Sequence, residues 1–494
     1  MKTLKKYILP GLASLILFAG CEDFLDKNLQ GSLTQDSFPT SASDALLATN
    51  AVYSTTRNWN FNSGGFPILD VMSDDSHKGS NPNDQLPNVG PFDNFTFTTT
   101  ADGLDRWWAT LYEGIKRAHV VIEKVETIPM DEELKTRYIA EARFLRGLFY
   151  FDLVRAWGDV PLVTSSTPPL KLTKSDKSLI YELIVGDFIF AKDNLPLKSE
   201  YPEEELGRAT QGAAKAYLAK AYLFQGDFVN AEKYALEVIS SKEYSLEPDF
   251  ADANSLIGEN SVESIFEVGA LSLEGNPGNQ YANTQGVRGS PNRGWGFNRP
   301  SIDLRDSFEP GDPRKDATII FLGETLDDVL ILGDGTTPDE IKDASNNVIE
   351  IECYNQKVWI PGENTITQWG HNRRLMRYAD VLLMAAEALN ENDNQTDALK
   401  YLEEVRERAR GGNTAILQEI TETGKTALRD LIIEERRHEL AMEQHRFWDL
   451  VRTGKATEVL GPLGFVNGKH DYLPIPQSEV DISQGSLEQN TNWQ

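Results

Sequence analysis

The sequence contains fragments of two catalytic motifs, and each fragment lacks a residue that its chemistry requires. His438 and Glu439 begin the pattern of a zinc-protease helix, but Met442 stands where the second histidine ligand is needed. Residues 423–426 resemble the end of a phosphate-binding loop, but Glu419 replaces its earlier glycine. The sequence has no G-x-S-x-G pattern, and its six histidines do not have metal-ligand spacing. We therefore predict no catalytic residue, no metal site and no cofactor, although the 76 acidic residues leave the paired carboxylates of a glycoside hydrolase open.

Cys21 lies at the end of an apolar N-terminal run and is the cysteine with a predicted chemical role. Three lysines precede this run, which covers residues 7–19 and is too short to cross a membrane as a helix. The run ends in Leu-Phe-Ala-Gly-Cys, which looks like a bacterial lipobox with phenylalanine in place of the usual leucine. We predict a lipoprotein signal peptide over residues 1–20, acylation of Cys21 and a lipidated tether over residues 21–42. The alternative is an ordinary secretory signal.

The composition is that of a globular protein with a strongly acidic surface. The chain has 494 residues, of which 40% are hydrophobic and 25% charged, and its formal net charge is −28. Such a charge repels phosphate backbones, so it argues against nucleic acid as a partner and favours a neutral ligand. If Cys21 is acylated, Cys353 has no internal disulfide partner, and we interpret it as a packed side chain.

Two kinds of helical pattern predict a mostly α-helical fold. Residues 140–157 are apolar around the whole helical circumference, which indicates a buried helix that ends at Gly158. Residues 210–240 and 378–410 each indicate two antiparallel helices with alanines at their contact, as in a tetratricopeptide unit. Together with a helix over residues 105–125, these segments predict a short solenoid of about four helix pairs.

The remaining segments predict an irregular lobe and a charged final helix. Residues 246–375 are rich in glycine and asparagine, and we interpret them as a lobe of loops and short strands, with strands at 264–268 and 348–360. A final helix is expected over residues 425–452. Its acidic face and the arginines available to pair with it are formed by Glu435, Glu439, Glu443, Arg436, Arg437 and Arg446.

Several stretches, in this order along the chain, resemble segments of the SusD/RagB family, the surface nutrient-binding lipoproteins of Bacteroidetes-type bacteria. They are the lipobox-like start and residues 140–163, 210–244, 377–410, 432–455 and 471–480. The resemblance implies a mostly α-helical fold with tetratricopeptide-like pairs and an irregular lobe that contacts ligand. It also implies an outer-membrane, cell-surface location and a partner, a SusC-like TonB-dependent transporter. We divide the mature chain beyond its tether into a helical part, 43–245, and a C-terminal part, 246–494.

The family has no shared ligand-contact motif, so the binding residues are predicted from chemistry. A sugar ring needs an aromatic face for its apolar C–H surface and polar groups for its hydroxyls. Three loop clusters around a tryptophan meet this need, and a tryptophan that packs on the core is the structural alternative for each. The predicted ligand-binding residues are Trp59 with Asp75, Trp295 with Asn298 and Arg299, and Trp369.

The sequence therefore favours a glycan-binding surface lipoprotein that captures an oligosaccharide, delivers it to the transporter and is not an enzyme. The same scaffold could instead bind peptides or another oligomer. A lipid-anchored glycoside hydrolase and a purely structural helical-repeat adaptor are the remaining alternatives.

Overall fold

Long helices make up the larger part of the molecule. The computed structural model describes residues 38–62, 69–169, 171–271, 279–361 and 370–493. These residues are mostly α-helical, which confirms the predicted fold class, and none of their helices is long and apolar enough to cross a membrane. The helices are α1 (Ala42–Thr56), α2 (Trp59–Asn62), α3 (Leu86–Asp93), α4 (Asp102–Lys124), α5 (Glu132–Trp157), α6 (Lys177–Asn194), α7 (Gln211–Gln225), α8 (Phe228–Ser241), α9 (Phe250–Ala253), α10 (Tyr281–Gln285), α11 (Ile302–Ser307), α12 (Tyr378–Glu391), α13 (Gln395–Arg410), α14 (Lys425–Leu440), α15 (Arg446–Arg452), α16 (Ala456–Leu460) and α17 (Gln477–Ile482).

Short strands pair two by two, mainly in the lobe. They are β1 (Ser76–Gly79), β2 (Ser264–Val268), β3 (Phe297–Pro300), β4 (Ile319–Phe321), β5 (Thr325–Leu326), β6 (Val329–Leu330), β7 (Glu340–Lys342), β8 (Val348–Ile351), β9 (Cys353–Asn355) and β10 (Arg373–Arg377). The antiparallel pairs are β1 with β3, β2 with β10, β4 with β9, β5 with β6, and β7 with β8. The β1–β3 pair ties the segment before α4 to the lobe.

Four helix pairs stack into a short solenoid. The pairs are α1 with α4, α5 with α6, α7 with α8, and α12 with α13. Neighbouring pairs touch through α4 and α5, through α6 and α7, and through α8 and α12. Helix α6 was not expected from the sequence. Its apolar residues lie on several faces, so they give no single stripe that would predict a helix.

Helix α5 is the buried centre of this stack, as its apolar circumference predicts. The side chain of Asp131 caps its start by accepting a backbone N–H at 2.9 Å, and Gly158 ends it with a φ of 72°. Arg146 donates two hydrogen bonds of 2.7 Å to Asp187 of α6. Because an unpaired charge in the core is strongly destabilising, this pair fixes α6 against α5.

The final charged segment breaks where one helix was expected over residues 425–452. A turn separates α14 from α15, because Met442 and Gln444 adopt left-handed backbone conformations with φ of 63° and 64°. Glu443 therefore lies in the turn and not on the expected helical face. The expected strand over residues 348–360 is also interrupted, since β8 and β9 are separate and a 3₁₀ turn follows β9.

A buried network of arginines and carboxylates joins the lobe to the helices. Arg377, at the start of α12, donates two hydrogen bonds of 2.7 Å to Glu443 and two of 3.1 Å to Glu439 of α14, one to its carboxylate and one to its backbone carbonyl. It also pairs with Glu263, whose other carboxylate oxygen accepts from Arg408 of α13 at 3.0 Å. These side chains are buried, so each charge depends on partners from other elements. We call this group the Glu439 cluster.

Glu435 extends the network one helical turn before Glu439. Arg314 from the lobe is fully buried and pairs with Glu435 and with Asp312, the latter at 2.8 Å. Arg406 of α13 donates to the other oxygen of Glu435 at 2.8 Å. The lobe and the last helix pair are thus held to the same carboxylate.

The predicted ion pairs between this acidic face and its neighbouring arginines are wrong. Those arginines bind carboxylates on other segments. Their partners are Asp380 and Asp449 for Arg436, Asp75 for Arg437, and Asp74 for Arg446. Successive helical residues point about 100° apart, so α14 presents charges around its circumference and contacts several elements at once.

Glu435→Gln should lower the free energy of unfolding at pH 7 by about 3–5 kcal/mol, because it deprives two buried guanidinium groups of negative charge. Burial raises the pKa of Glu435, but Arg314 and Arg406 outweigh it and lower this pKa from 4.5 to about 2. The carboxylate therefore contributes stability above pH 4.5 and loses that contribution as the pH falls toward 2.

Urea unfolding measured at a series of pH values checks this expectation. The difference between wild type and Glu435→Gln should shrink as the pH falls below 4.5. Glu458→Gln, at an exposed position, is the matched control and should change little. A difference for Glu435→Gln that stays constant with pH would contradict the ion-pair explanation.

Candidate functional site

A cleft of about 530 Å³ opens where the lobe meets the start of α4, and we call it the lobe cleft. Trp59 and Trp295, taken from two separate predicted clusters, line it together. The other lining side chains include Asp84, Gln85, Asn88, Arg106, Arg288 and Phe297. The fold thus brings two of the predicted tryptophans to one place, although they are distant in sequence.

Trp59 is presented by the short helix α2, directly after α1. The side chain of Asn58 accepts the backbone N–H of Asn60 at 2.8 Å and so starts the turn. The indole of Trp59 packs against the hydrophobic core and is half-buried. Part of the ring therefore remains available to the cleft while the rest anchors it.

Trp295 lies in a glycine-rich loop that is held close to α10. Its backbone N–H donates to the carbonyl of Asn283 at 2.7 Å. A Cβ at Gly294 would lie 2.6 Å from the Asn283 oxygen and 2.6 Å from Gly286 Cα, so the close approach requires glycine. The half-buried indole of Trp295 is thus presented from a backbone that packs tightly against α10.

Arg288 forms a fixed polar wall of the lobe cleft. It donates to Asp334 at 2.6 Å and to the Ser80 hydroxyl at 2.7 Å, and it pairs with Asp84. Burial raises the pKa of Asp84, but hydrogen bonds from Arg288 and Ser80 outweigh it, so the pKa lies below its ordinary value. The carboxylate stays ionised and balances the guanidinium charge.

Exposed polar side chains form the outer edge of the cleft. Arg106 pairs with Asp102 at 2.7 Å, and both side chains are more than half exposed. The amide of Asn88 donates to the amide oxygen of Gln85 at 2.7 Å. These groups can form hydrogen bonds with ligand hydroxyls, and their charges occur in balanced pairs.

Asp75, Asn298 and Arg299 lie beneath the cleft, and their burial does not fit the predicted contact with ligand. Asp75 is fully buried and accepts from an arginine of α14. Asn298 is fully buried and accepts from the Ser76 hydroxyl at 2.6 Å, while Arg299 is 2% exposed and donates to the Ser80 carbonyl at 3.1 Å. These side chains instead hold together the β1–β3 region that carries the two cleft loops.

Two predicted functional residues, Trp369 and Cys21, lie outside the described residues. Among the described residues, no group of histidine, cysteine and acidic side chains is arranged to hold a metal ion. Cys353 is buried, and its thiol donates to the Pro300 carbonyl at 3.3 Å. Burial raises the pKa of this thiol to about 12, which makes it unreactive.

The polar residues of the cleft that were not predicted from the sequence include Gln85, Asn88, Arg106 and Arg288. Asn88 and Gln85 belong to the irregular region before α4, and Arg288 belongs to the same loop region as Trp295. Their types fit the expected chemistry, but nothing local distinguishes them from other polar loop residues. Arg106 directly precedes Trp107 on α4, and Trp107 is fully buried.

Family models match both halves of the chain. The model described as "SusD family" matches residues 262–493, and the model described as "Starch-binding associating with outer membrane" matches residues 23–223. The chain belongs to the SusD/RagB family. Among its relatives in this family, "SusD-like protein P2" of Formosa agariphila is 29% identical and aligns over 99% of this chain and 100% of its own length.

Solved structures of SusD-like proteins share the fold. The "Laminarin binding SusD-like protein" is 29% identical, with a TM-score of 0.76, over 92% of this chain and 100% of that chain. "Surface glycan-binding protein A from Bacteroides thetaiotaomicron in complex with laminarihexaose" is 27% identical, with a TM-score of 0.76, over 91% of this chain and 100% of that chain. The names of these two solved structures describe glycan-binding proteins, which agrees with the prediction that the chain is not an enzyme.

Gly294→Ala should destabilise the protein by about 1–3 kcal/mol, because the new methyl group forces the Trp295 loop away from α10. Gly186→Ala is the matched control: a Cβ at this helical position meets nothing within 4 Å, so it should stabilise α6 by about 0.5–1 kcal/mol. Thermal unfolding and tryptophan emission check both substitutions. Equal changes in stability for Gly294→Ala and Gly186→Ala would show that the Trp295 loop does not need to approach α10 closely.

Proposed function

We propose that this protein is a cell-surface lipoprotein that captures a neutral oligosaccharide in the lobe cleft. The observation that carries the proposal is the meeting of Trp59 and Trp295 at one cleft edged by hydrogen-bonding groups. Each indole offers an apolar surface to the C–H face of a sugar ring, while amide and guanidinium groups bind the hydroxyls.

The charges around the lobe cleft favour a neutral ligand over an acidic one. Arg288 is neutralised by Asp84 and Asp334, and Arg106 is paired with Asp102. An acidic glycan would also approach a protein whose formal charge is −28. The names of two structural relatives, one a laminarin-binding protein and the other complexed with laminarihexaose, support a neutral glucan as the first ligand to test.

Peptides are the alternative ligand of the same scaffold. A peptide could use the polar edge of the cleft, but its backbone offers no continuous C–H face to two indoles. The aromatic pair therefore favours a sugar.

The proposal includes an acyl anchor on Cys21 and delivery of the captured glycan to a SusC-like TonB-dependent transporter. The family description "associating with outer membrane" supports a location at the outer membrane. Two or more acyl chains would suffice for a stable anchor. Capture without turnover also needs a route by which the bound glycan leaves the protein, and a neighbouring transporter provides it.

Trp59→Ala and Trp295→Ala should each weaken oligosaccharide binding at least about tenfold, since a stacking face worth about 1.4 kcal/mol or more is lost. The double variant should lose binding at the lobe cleft. Isothermal titration with laminarihexaose and a panel of neutral oligosaccharides checks the effect. Tyr401→Ala, which removes a half-buried aromatic ring of α13, is the control and should bind as wild type. Undiminished binding by the folded double variant would exclude the lobe cleft, and binding of peptides alone would favour the alternative.

Cys21→Ser should abolish acylation and move the protein from the membrane fraction to the soluble fraction, because serine lacks the thiol that accepts lipid. Metabolic labelling with an alkyne fatty acid, followed by fractionation of the native bacterium, measures both effects. Cys353→Ser, at the buried thiol, should keep the label. An unchanged label on Cys21→Ser would show that another group is modified.

A further inference from the structure

A second cleft of about 520 Å³ lies at one end of the helical solenoid, and we call it the helix-end cleft. The end of α5, the start of α6, the end of α7 and α15 form its walls, together with the segment at residues 471–472. The lobe strands contribute nothing to its lining among the described residues. It is therefore separate from the lobe cleft and is built on the rigid part of the fold.

Aromatic side chains cover the walls of the helix-end cleft. Tyr181, Tyr472 and Phe224 are half-buried, and Trp448 behind them is 4% exposed. Tyr472 lies flat against Gly158, where a Cβ would be only 3.1 Å from the ring. Its hydroxyl accepts from Lys177 at 3.0 Å, so the ring is held from two sides. Rings fixed in this way lose little conformational entropy when a ligand covers them.

Unused hydrogen-bonding atoms face the same cleft. Among the described residues, the Tyr181 hydroxyl has no hydrogen-bond partner, although the ring lines the cleft. The amide of Gln225 donates to the Ala221 carbonyl at 3.0 Å, and its oxygen remains available. A ligand that supplies hydroxyl groups would satisfy these atoms.

The cations of the cleft are already matched by carboxylates. Arg155 pairs with Asp152 at 2.7 Å, and Arg452 pairs with Asp449 at 2.8 Å and with Glu387. Two further carboxylates at the rim oppose the charge of the remaining lysine. An anionic ligand would therefore have to displace existing ion pairs, whereas a neutral one would not.

We propose that the helix-end cleft is a second binding site for a neutral saccharide, formed by Tyr181, Tyr472 and Phe224 with Arg155 and Gln225. This proposal rests on the proposed function only for the class of ligand, a neutral saccharide. It requires no contact between the ligand and the lobe. Two sites on one molecule would raise the affinity for a long glycan chain, because the second binding event becomes intramolecular.

The two clefts lie near the same end of α4 and α5. Arg106, near the start of α4, lines the lobe cleft, and Arg155, near the end of α5, lines the helix-end cleft. The rings of Trp107 and Trp157 pack with centroids 5.0 Å apart, and Trp448 lies 6.5 Å from Trp107. Trp448, which lines the helix-end cleft, thus packs beside Trp107, the neighbour in the chain of Arg106 in the lobe cleft.

Fluorine NMR of the full protein labelled with 5-fluorotryptophan tests this proposal. The nine tryptophan signals are assigned by single Trp→Phe substitutions, and Trp448 then reports on the helix-end cleft while Trp295 reports on the lobe cleft. The probes are laminarihexaose, methyl glucosides and a panel of other neutral oligosaccharides. The Trp448 signal should shift with one of these sugars, and the shift should persist in the Trp59→Ala/Trp295→Ala double variant.

Tyr181→Phe removes one hydroxyl from the helix-end cleft. The apparent affinity for the sugar, measured from the shift of the Trp448 signal, should fall about tenfold, which corresponds to about 1.4 kcal/mol. Tyr222→Phe, which removes a hydroxyl outside both clefts, is the matched control and should leave the shift unchanged.

The two proposals fail in different ways. Sugar-dependent shifts confined to Trp59 and Trp295 would overturn the second site and leave the proposed function standing. A shift of Trp448 alone would support the helix-end cleft and contradict the lobe cleft. A Trp448 shift that disappears in the double variant would mean that it only relays binding at the lobe cleft, and the second site would be overturned. If no tryptophan signal moves with any sugar, both proposals are overturned.

Discussion

The Glu439 cluster is the interaction on which the rest of the structure depends. Buried carboxylates and guanidinium groups are tolerated only when each finds partners, and here the partners come from separate parts of the chain. Glu439 on α14 meets Arg377 at the start of α12 and Arg408 on α13, while Arg377 also binds Glu263 beside β2. Removing one member would leave the others buried without compensation. The lobe and the solenoid are therefore joined by a constraint that apolar packing alone would not impose.

The same rule acts beneath the lobe cleft. Arg437 and Arg446 bind Asp75 and Asp74, so the segment that leads into β1 is fixed to the last charged helices. β1 in turn pairs with β3, which follows the Trp295 loop directly. The position of Trp295 is thus set, through β3 and β1, by the buried ion pairs of Asp74 and Asp75. A site arranged before the ligand arrives loses less free energy to ordering when it binds.

Local sequence patterns predicted much of the scaffold, but not helix α6 and not the contacts between distant parts of the chain. The apolar circumference of α5 and the alanine contacts of the α7–α8 and α12–α13 pairs appear in short windows, so both could be predicted. The break at Met442 could not, because a left-handed turn between two helix-forming stretches leaves no clear local signal. The residue types around Trp59 and Trp295 indicated binding, but only the fold brings the two rings together and places Asp75, Asn298 and Arg299 underneath. Partners of buried charges are equally long-range: Arg436, Arg437 and Arg446 were expected to pair with the acidic face of the final helix, but they bind Asp380, Asp75 and Asp74.

The pairing of charges in the interior also affects the electrostatic interaction between copies of this protein. Among the described residues, the buried lysines and arginines equal the buried aspartates and glutamates in number. The net negative charge of the described residues therefore lies on side chains that are at least partly exposed. Neighbouring copies crowded on one membrane would repel each other over about the Debye length of 8–10 Å. An exterior with a net negative charge would thus keep neighbouring copies apart.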